Sequence, residues 1–356
     1  MYILYTVSDP EYAVFNIEGG IGKHVASTAV VSAYKNNYPT TKVIVVCAWP
    51  EIYLGNEDVE RVYRLGNVPY FYQDYIYGKD TVVFSQEPYR QTSHIKKQKH
   101  LILSWCEMIG IKYNGESPKL PMNMRESGYL DPELANIPKQ KPILLFQPFG
   151  GPGKDHQADP YSWSRDIHPQ VAQQIVDVLK DHYQIIHVCY DFHHKLNHVI
   201  RYEKVVPKKN LFNIIRYADR CLFVDSSFQH AAAAMGKSST VVWVATQPEV
   251  FGYDLHHNIK APMEFPKGTI DSYLYDYNFT GAIHECPYTD VSQMFDVNAI
   301  VGSLLPQQSQ SSQVVQQPPV EQVSETKKAP LTTTNSNTCC SNTCCSNTCN
   351  NNRKKK

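Results

Sequence analysis

The chain contains no run of about 18 apolar residues, which argues against a membrane-spanning helix. Its opening stretch, MYILYTVSDPEYAVF, has no basic segment, and Asp9 and Glu11 interrupt the apolar run. It does not read as a secretory signal, so a cytoplasmic location is expected. No C-x-x-C pair occurs among Cys47, Cys106, Cys189, Cys221 and Cys286. These widely spaced cysteines read as small apolar core residues of a reduced protein. A basic stripe is missing too. Through Leu305 there are 28 basic and 32 acidic residues, and a mildly acidic body argues against a nucleic-acid partner. His193, His194 and His198, and the pair His256-His257, have ligand-like spacing but no carboxylate set beside them, so no metal site is expected.

Aromatic residues vanish after Leu305, so residues 306–356 have nothing to anchor a core. That segment is Gln/Ser/Pro-rich, then repeats Ser-Asn-Thr-Cys-Cys around Cys339, Cys340, Cys344, Cys345 and Cys349. Six basic and two acidic residues make it the basic end of a chain whose formal net charge is zero. Such composition predicts a disordered low-complexity tail. At roughly 150 residues per domain, what remains suits about two domains.

The body alternates strand and helix signals. Strands are expected at Tyr12–Ile17, Lys42–Cys47, Arg61–Leu65 and Thr81–Phe84, with helices at Lys23–Asn37 and His94–Ile109. The run KVIVVC is β-branched and continuous, as a parallel strand covered on both faces requires. The pattern breaks at a Pro-containing stretch, taken as a linker over 126–142. A second alternation follows. It comprises strands at Ile143–Phe149, Ile185–Cys189, Arg220–Val224 and Thr240–Ala245, and helices at Pro169–His182, Leu211–Ala218, Phe228–Met235 and Val291–Leu305. Two α/β domains with parallel sheets are therefore expected, over 1–125 and 143–305, with ligands beyond the carboxyl ends of the strands.

Two constellations carry possible chemistry. Strand, then Gly19-Gly20-Ile21-Gly22-Lys23, then helix has the design of a phosphate cradle. A P-loop would need Gly at 17 and a hydroxyl at 24, where the chain has Ile17 and His24. The deviant Lys-Gly-Gly-x-Gly-Lys-Thr form has Glu18 and His24 at its first Lys and its hydroxyl, so a metal-dependent NTPase is poorly supported. A plain structural turn is the other bland alternative. The second constellation runs from Asp225 through Ser226, Ser227 and His230 to Gly236-Lys237. Either serine can cap the following helix and still face an anion, and an ordinary capped, Ala-rich packing helix is the plain alternative. The tyrosine-rich segment Tyr70, Phe71, Tyr72, Tyr75 and Tyr77 favours core or lid packing over sugar stacking, and Lys96, Lys97 and Lys99 read as a solvated face.

With their flanks, these segments resemble glycosyltransferase family 9, the heptosyltransferase-like enzymes. Gly22-Lys-His-Val-Ala-Ser27-Thr28-Ala29 is in register with the family's opening Gly-Asp motif, and Tyr34-Lys35 and Tyr38-Pro39 follow at matching distance. Asn56-Glu-Asp-Val-Glu60-Arg-Val62, Phe146-Gln-Pro-Phe-Gly150-Gly151, Ser164-Arg165-Asp-Ile-His-Pro169 and Cys286-Pro287 are similar to later family segments. Asp225–Lys237 nearly reproduces its Asp-Ser/Thr-Gly-x-x-His element.

The resemblance covers about Tyr12 to Leu305 and implies a GT-B fold: two Rossmann-like doubly wound domains facing a cleft, with a disordered tail. It implies inverting, metal-independent transfer of a heptose-like or other sugar from a nucleotide-diphosphate donor to a glycan or lipid-linked acceptor. No cofactor is implied beyond that donor, and peripheral membrane contact is compatible with the acceptor. Donor contacts would be Gly150, Gly151, Arg165, Asp225, Ser226, Ser227, His230 and Thr246. Gly19, Gly20 and Gly22 would form the phosphate or acceptor loop. The family's catalytic Asp falls on Lys23, an ammonium, leaving Glu18 and His24 as nearby candidates for the base. Ser227 replaces a Gly, and Arg165 replaces a Lys. A catalytically inactive nucleotide- or glycan-binding relative is the alternative that Lys23 raises.

Overall fold

The structure is a computed structural model that describes residues 9–128, 132–150, 161–203, 209–262 and 290–305. The first sheet holds β1 (Tyr12–Ile17), β2 (Lys42–Cys47), β3 (Arg61–Arg64) and β4 (Thr81–Phe84). All are parallel, in the order β3-β2-β1-β4. The two inner strands are the continuous apolar runs YAVFNI and KVIVVC, buried on both faces as parallel pairing with helical cover demands. The crossover from β1 to β2 is α1 (Ile21–Asn37), which Gly20 caps through its backbone alone. Small residues line α1, with Ala26, Ala29 and Ala33 fully buried, so other elements approach it closely.

α2 is Phe71–Tyr75, ahead of β4, and α3 (Thr92–Ile95) and α4 (Leu101–Met108) follow. The single helix expected over His94–Ile109 is thus two. Lys96–His100 reads KKQKH, without an apolar residue to bury and with like charges crowded along one turn. Lys97 takes a left-handed φ of 53°, and His100 restarts the helix by accepting a hydrogen bond from the Ile102 amide at 3.2 Å. Of the lysines there, Lys99 pairs with Glu107.

The stretch taken as a linker carries two short helices, α5 (Met124–Gly128) and α6 (Pro132–Ala135), and Leu134 is buried in the core. The second sheet holds β5 (Ile143–Gln147), β6 (Gln184–Cys189), β7 (Ile200–Glu203), β8 (Arg220–Val224), β9 (Thr240–Trp243) and β10 (His257–Lys260). All are parallel, in the order β10-β9-β8-β5-β6-β7. Counted from β5, this is the dinucleotide-fold strand order. β7 and β10 were not expected from sequence. They are the edge strands IRYE and HNIK, too short and too charged to show an apolar run, and that charge also discourages edge-to-edge pairing.

The helices on this sheet are α7 (Pro169–Leu179), α8 (Asn213–Tyr217), α9 (Ser227–Ala234) and α10 (Pro248–Phe251). The final helix spans Val297–Leu304, shorter than expected, because the chain from Val291 to Met294 forms a 3-10 turn. Tyr183 donates its hydroxyl to the Leu304 carbonyl and ties that helix down.

Both sheets belong to one compact unit. Val25, Ala29 and Trp105 share a continuous apolar core with Phe212, Phe228, Ala231 and Ala232, and α1 packs directly on α9. This seam depends on alanine. Ala231→Leu should overpack it and cost about 1–3 kcal/mol. Urea denaturation should show a lower midpoint at an unchanged slope, and an unchanged midpoint would show that the seam has room to spare.

Candidate functional site

In each sheet the chain leaves the first strand in one direction and returns on its other side. The gap this creates lies between β1 and β4 in one sheet and between β5 and β8 in the other. Such switch points are where open α/β sheets bind ligands. Several of the sequence-selected residues lie there.

At the first switch point β1 turns sharply into α1. Gly19 holds a φ of 96°, which L side chains rarely adopt, and its carbonyl accepts from the Trp49 indole at 3.1 Å. Glu18 is exposed. His24 is wholly buried, with Nδ1 2.8 Å from the Gly20 carbonyl and Nε2 3.1 Å from the Ile17 carbonyl. Burial lowers its pKa, while those two hydrogen bonds act in the opposite direction. Both ring nitrogens are therefore committed to the β1–α1 turn, and neither faces an incoming substrate.

Lys23 stands in the first turn of α1 and is 7% exposed. Its Nζ lies 2.6 Å from Oε2 of Glu87, in the loop that follows β4. The rings of Tyr89 and Trp105 stand 5.5 and 5.6 Å from the same ammonium. A buried cation needs such company, because removing it from water unpaired is costly. Glu87 is partly open to solvent, with 31% of its side chain exposed. A carboxylate is thus present at the site, delivered by β4 rather than by α1.

At the second switch point Ser226 caps α9. Its Oγ accepts from the Phe228 amide at 3.3 Å and donates to Oε1 of Gln147, at the end of β5. Gln147 in turn donates to the Phe149 carbonyl at 2.7 Å, so one amide ties the β5 and β8 loops together. The Gly150 amide donates to Oδ1 of Asp166 at 2.7 Å, and the Ser162 amide donates to Oδ2 at 2.9 Å. Burial pushes the Asp166 carboxyl up to about 6, against the pull of these amides and of Arg165. Asp225 is buried at the end of β8, and Thr246 follows β9 with its hydroxyl buried and unbonded among the described residues. Lys237 is structural, since its ammonium donates to the Ala218 carbonyl at 2.7 Å. Gly151 and the Cys286-Pro287 segment lie outside the described residues.

The two switch points meet. A Cβ on Gly22 would lie 2.9 Å from the His230 ring and 3.3 Å from the Ser227 backbone, so the first turns of α1 and α9 touch. His230 is buried, its Nδ1 2.7 Å from the Tyr253 hydroxyl. Burial, then His100 and His256, push it down to about 3, so the ring is neutral at ordinary pH. His100 and His256 also pack on Tyr253, with ring centroids at 5.6 and 5.9 Å. The positive ends of two helices and a neutral imidazole therefore share one place, a setting suited to an anion.

Sequence reasoning missed Glu87, Gln147, Asp166 and Tyr253. Glu87 and Gln147 had a usable signal, since each lies at or just past the carboxyl end of a switch-point strand. Tyr253 had none. It reaches His230 only through the packing of α10.

These features define a two-sheet α/β protein with a candidate site at paired switch points. No family model matches the chain, and no curated protein matches it by sequence. Solved structures do. A glycosyl transferase of family 9 from Veillonella parvula superposes with a TM-score of 0.56 at 10% identity, covering 83% of this chain and 96% of that one. The ADP-heptose lipopolysaccharide heptosyltransferase II of E. coli gives 0.53 at 10% identity, covering 72% and 92%. The iron-containing dodecameric glycosyltransferase TibC of enterotoxigenic E. coli gives 0.58 at 11% identity, covering 83% and 75%. The chain has the heptosyltransferase-like fold of glycosyltransferase family 9.

The buried histidines make a prediction about acid. His187 and His230 are pushed down to about 3 and His193 to about 4, all mainly by burial. The unfolded chain takes up protons below its ordinary histidine pKa of about 6.5, and the folded chain refuses them. Stability is then fully present above that value and falls with pH, by up to about 1.4 kcal/mol per histidine per pH unit. Asp166, protonated first in the folded state, offsets part of this. Urea midpoints should fall between pH 7 and 4, and His187→Leu should flatten the slope. A flat wild-type profile would contradict the neutral, buried state of these rings.

Proposed function

We propose that this protein is a glycosyltransferase of the GT-B kind, moving a sugar from a nucleotide-diphosphate donor to a hydroxyl of a glycan or lipid-linked acceptor, with inversion and without an obligatory metal. The observation that carries the reading is the contact of Gly22 with Ser227 and His230, which brings the positive ends of α1 and α9 to one point. Residues 143–305 are assigned the donor and residues 1–125 the acceptor, joined through 126–142. The TibC structure holding ADP-D-β-D-heptose supports the donor class, with a TM-score of 0.56 at 11% identity. The sequence has no Asp-x-Asp, in keeping with a metal-independent route.

In this reading the leaving diphosphate meets the α9 amides, the hydroxyls of Ser226 and Ser227, and Arg165. Neutral His230 serves as a hydrogen-bond partner rather than a charge, and the unbonded Thr246 hydroxyl gains a partner in the donor. Gly150 is set by Asp166, and Gly19, Gly20 and Gly22 let the backbone come close. Glu87 acts as the general base and Lys23 positions it. The acceptor O–H gives its proton to the Glu87 carboxylate, and its oxygen bonds to the anomeric carbon. The bond from that carbon to the diphosphate oxygen breaks, and the nucleoside diphosphate leaves with the electron pair. Glu18, at the same turn, is the second carboxylate in reach of the loop. A P-loop NTPase has no support here, because the position of its metal-binding hydroxyl is the buried His24, bonded to backbone on both sides.

The competing reading is an inactive binding relative, favoured by one observation: an ammonium stands where the family keeps its carboxylate. Two measurements decide. Thermal shift with ADP-, UDP-, GDP- and CDP-sugars should show one class stabilising the protein, by about 2.7 kcal/mol at a hundredfold excess over Kd. No response from folded protein would remove the donor site. With the donor that binds, Glu87→Gln should keep its Kd yet lower nucleoside-diphosphate release by about 10²–10⁴-fold. Binding without any release by the wild type would establish the inactive reading instead.

A further inference from the structure

A second concave region lies at the other end of the first sheet, at the amino ends of β1, β2 and β3. It is an open depression of about 400 Å³, lined by Tyr12, Lys42, Glu60, Arg61, Asp74 and Tyr75, with all four charged side chains exposed. That volume falls in the range of small-molecule sites, about 300–1,000 Å³. Its charges are two of each sign, and among the described residues no ion pair or hydrogen bond joins any of the four side chains to another. The tyrosines beneath are firmly placed. Tyr12 and Tyr75 pack edge to face at 5.1 Å, and the Thr81 hydroxyl donates to the Tyr75 carbonyl. Lys42 Nζ lies 5.7 Å from the Tyr12 ring, and the Arg61 guanidinium lies 5.2 Å from the Tyr63 ring.

The tyrosine-rich segment beside this cavity splits into two sets. Phe71 and Tyr75 turn inward against Tyr63. Tyr70, Tyr72 and Tyr77 turn outward, 77%, 58% and 72% exposed. The Tyr72 and Tyr77 rings lie 6.2 Å apart and only 37° from parallel. Large aromatic rings left open in a cluster mark a contact surface more often than an accident of packing.

The lining selects the ligand class. With two charges of each sign, the lining gives no net attraction to a lone anion or a lone cation. A purely apolar ligand would strip water from four charges without replacing it. A neutral, hydroxyl-rich ligand satisfies both signs, since its hydroxyls donate to the carboxylates and accept from the cations. Its C–H faces suit the exposed rings. We propose that this cavity, with Tyr72 and Tyr77 as a platform, is a binding site for a neutral saccharide, separate from the site at the paired switch points. It does not rest on the transferase reading, because binding here needs no turnover.

The test uses the full chain on a microarray of neutral oligosaccharides, followed by titration calorimetry with a retained glycan. Arg61→Met combined with Asp74→Asn should weaken that glycan by at least about tenfold, the usual cost of lost charged hydrogen bonds. Tyr72→Ala combined with Tyr77→Ala should weaken it as well. These side chains are exposed or partly so, and circular dichroism and the melting temperature should not move. Retention of no glycan overturns the proposal. So does a glycan whose affinity both double variants leave unchanged, or one lost instead in Lys23→Met. A response confined to free amino acids, screened in parallel as zwitterions, would overturn the saccharide assignment.

Discussion

A methyl group at position 22 would stand 2.9 Å from one side chain and 3.3 Å from the backbone of a helix more than two hundred residues later in the chain. That single close approach sets the geometry of the site. It lets the first turns of α1 and α9 meet, so the unsatisfied amides of two helices point into one region. It also puts the small-residue flanks of those helices in register, where alanines on both sides form the seam of the core. With any side chain at 22, the His230 ring would have to move and the start of α9 would have to give by a few tenths of an ångström.

What surrounds that contact is unusually polar for a buried place, and every charge there is accounted for differently. Lys23 is paired with Glu87, and two aromatic faces stand beside its ammonium. His230 gives its charge up first because burial denies it water, and then because His100 and His256 nearby disfavour a proton on it. The Asp166 carboxyl is buried yet accepts two backbone amides, which makes it a clamp for the Gly150 loop. The same low-polarity setting therefore yields a paired cation, a neutral ring and a hydrogen-bonded carboxyl. Such divergence between neighbouring titratable groups is typical of sites that handle charge.

Much of the fold was legible. Inner strands such as KVIVVC and RCLFV announce themselves, because parallel strands covered on both faces must be continuously apolar. Edge strands β7 and β10 were hidden, since edges carry charge and lack that constraint. The break at KKQKH was hidden because helical spacing of the flanking apolar residues outweighed the absence of any in the middle. At the site, glycines and a Ser cap stand in the sequence as a local code for a turn and a helix start. Glu87 does not, because nothing within a few residues of it explains its role. Lys23 was read as the loss of a carboxylate, and only the tertiary structure shows it paired with Glu87 of the loop after β4.

Local pattern, then, is what the chain states by itself: two α/β alternations, a glycine turn, a capped Ala-rich helix, and a tail with nothing to bury. These depend on neighbours within one turn or one strand, where covalent connection limits the options. The tertiary structure decided what no local pattern could. It set which carboxylate meets Lys23 and which histidines lose their charge. It divided the aromatic residues of 70–77, with Tyr75 buried, Phe71 half-buried and three tyrosines left exposed. Those outcomes depend on groups far apart in sequence, whose distance, and with it the balance between burial and charge, exists only once the sheets have closed on each other.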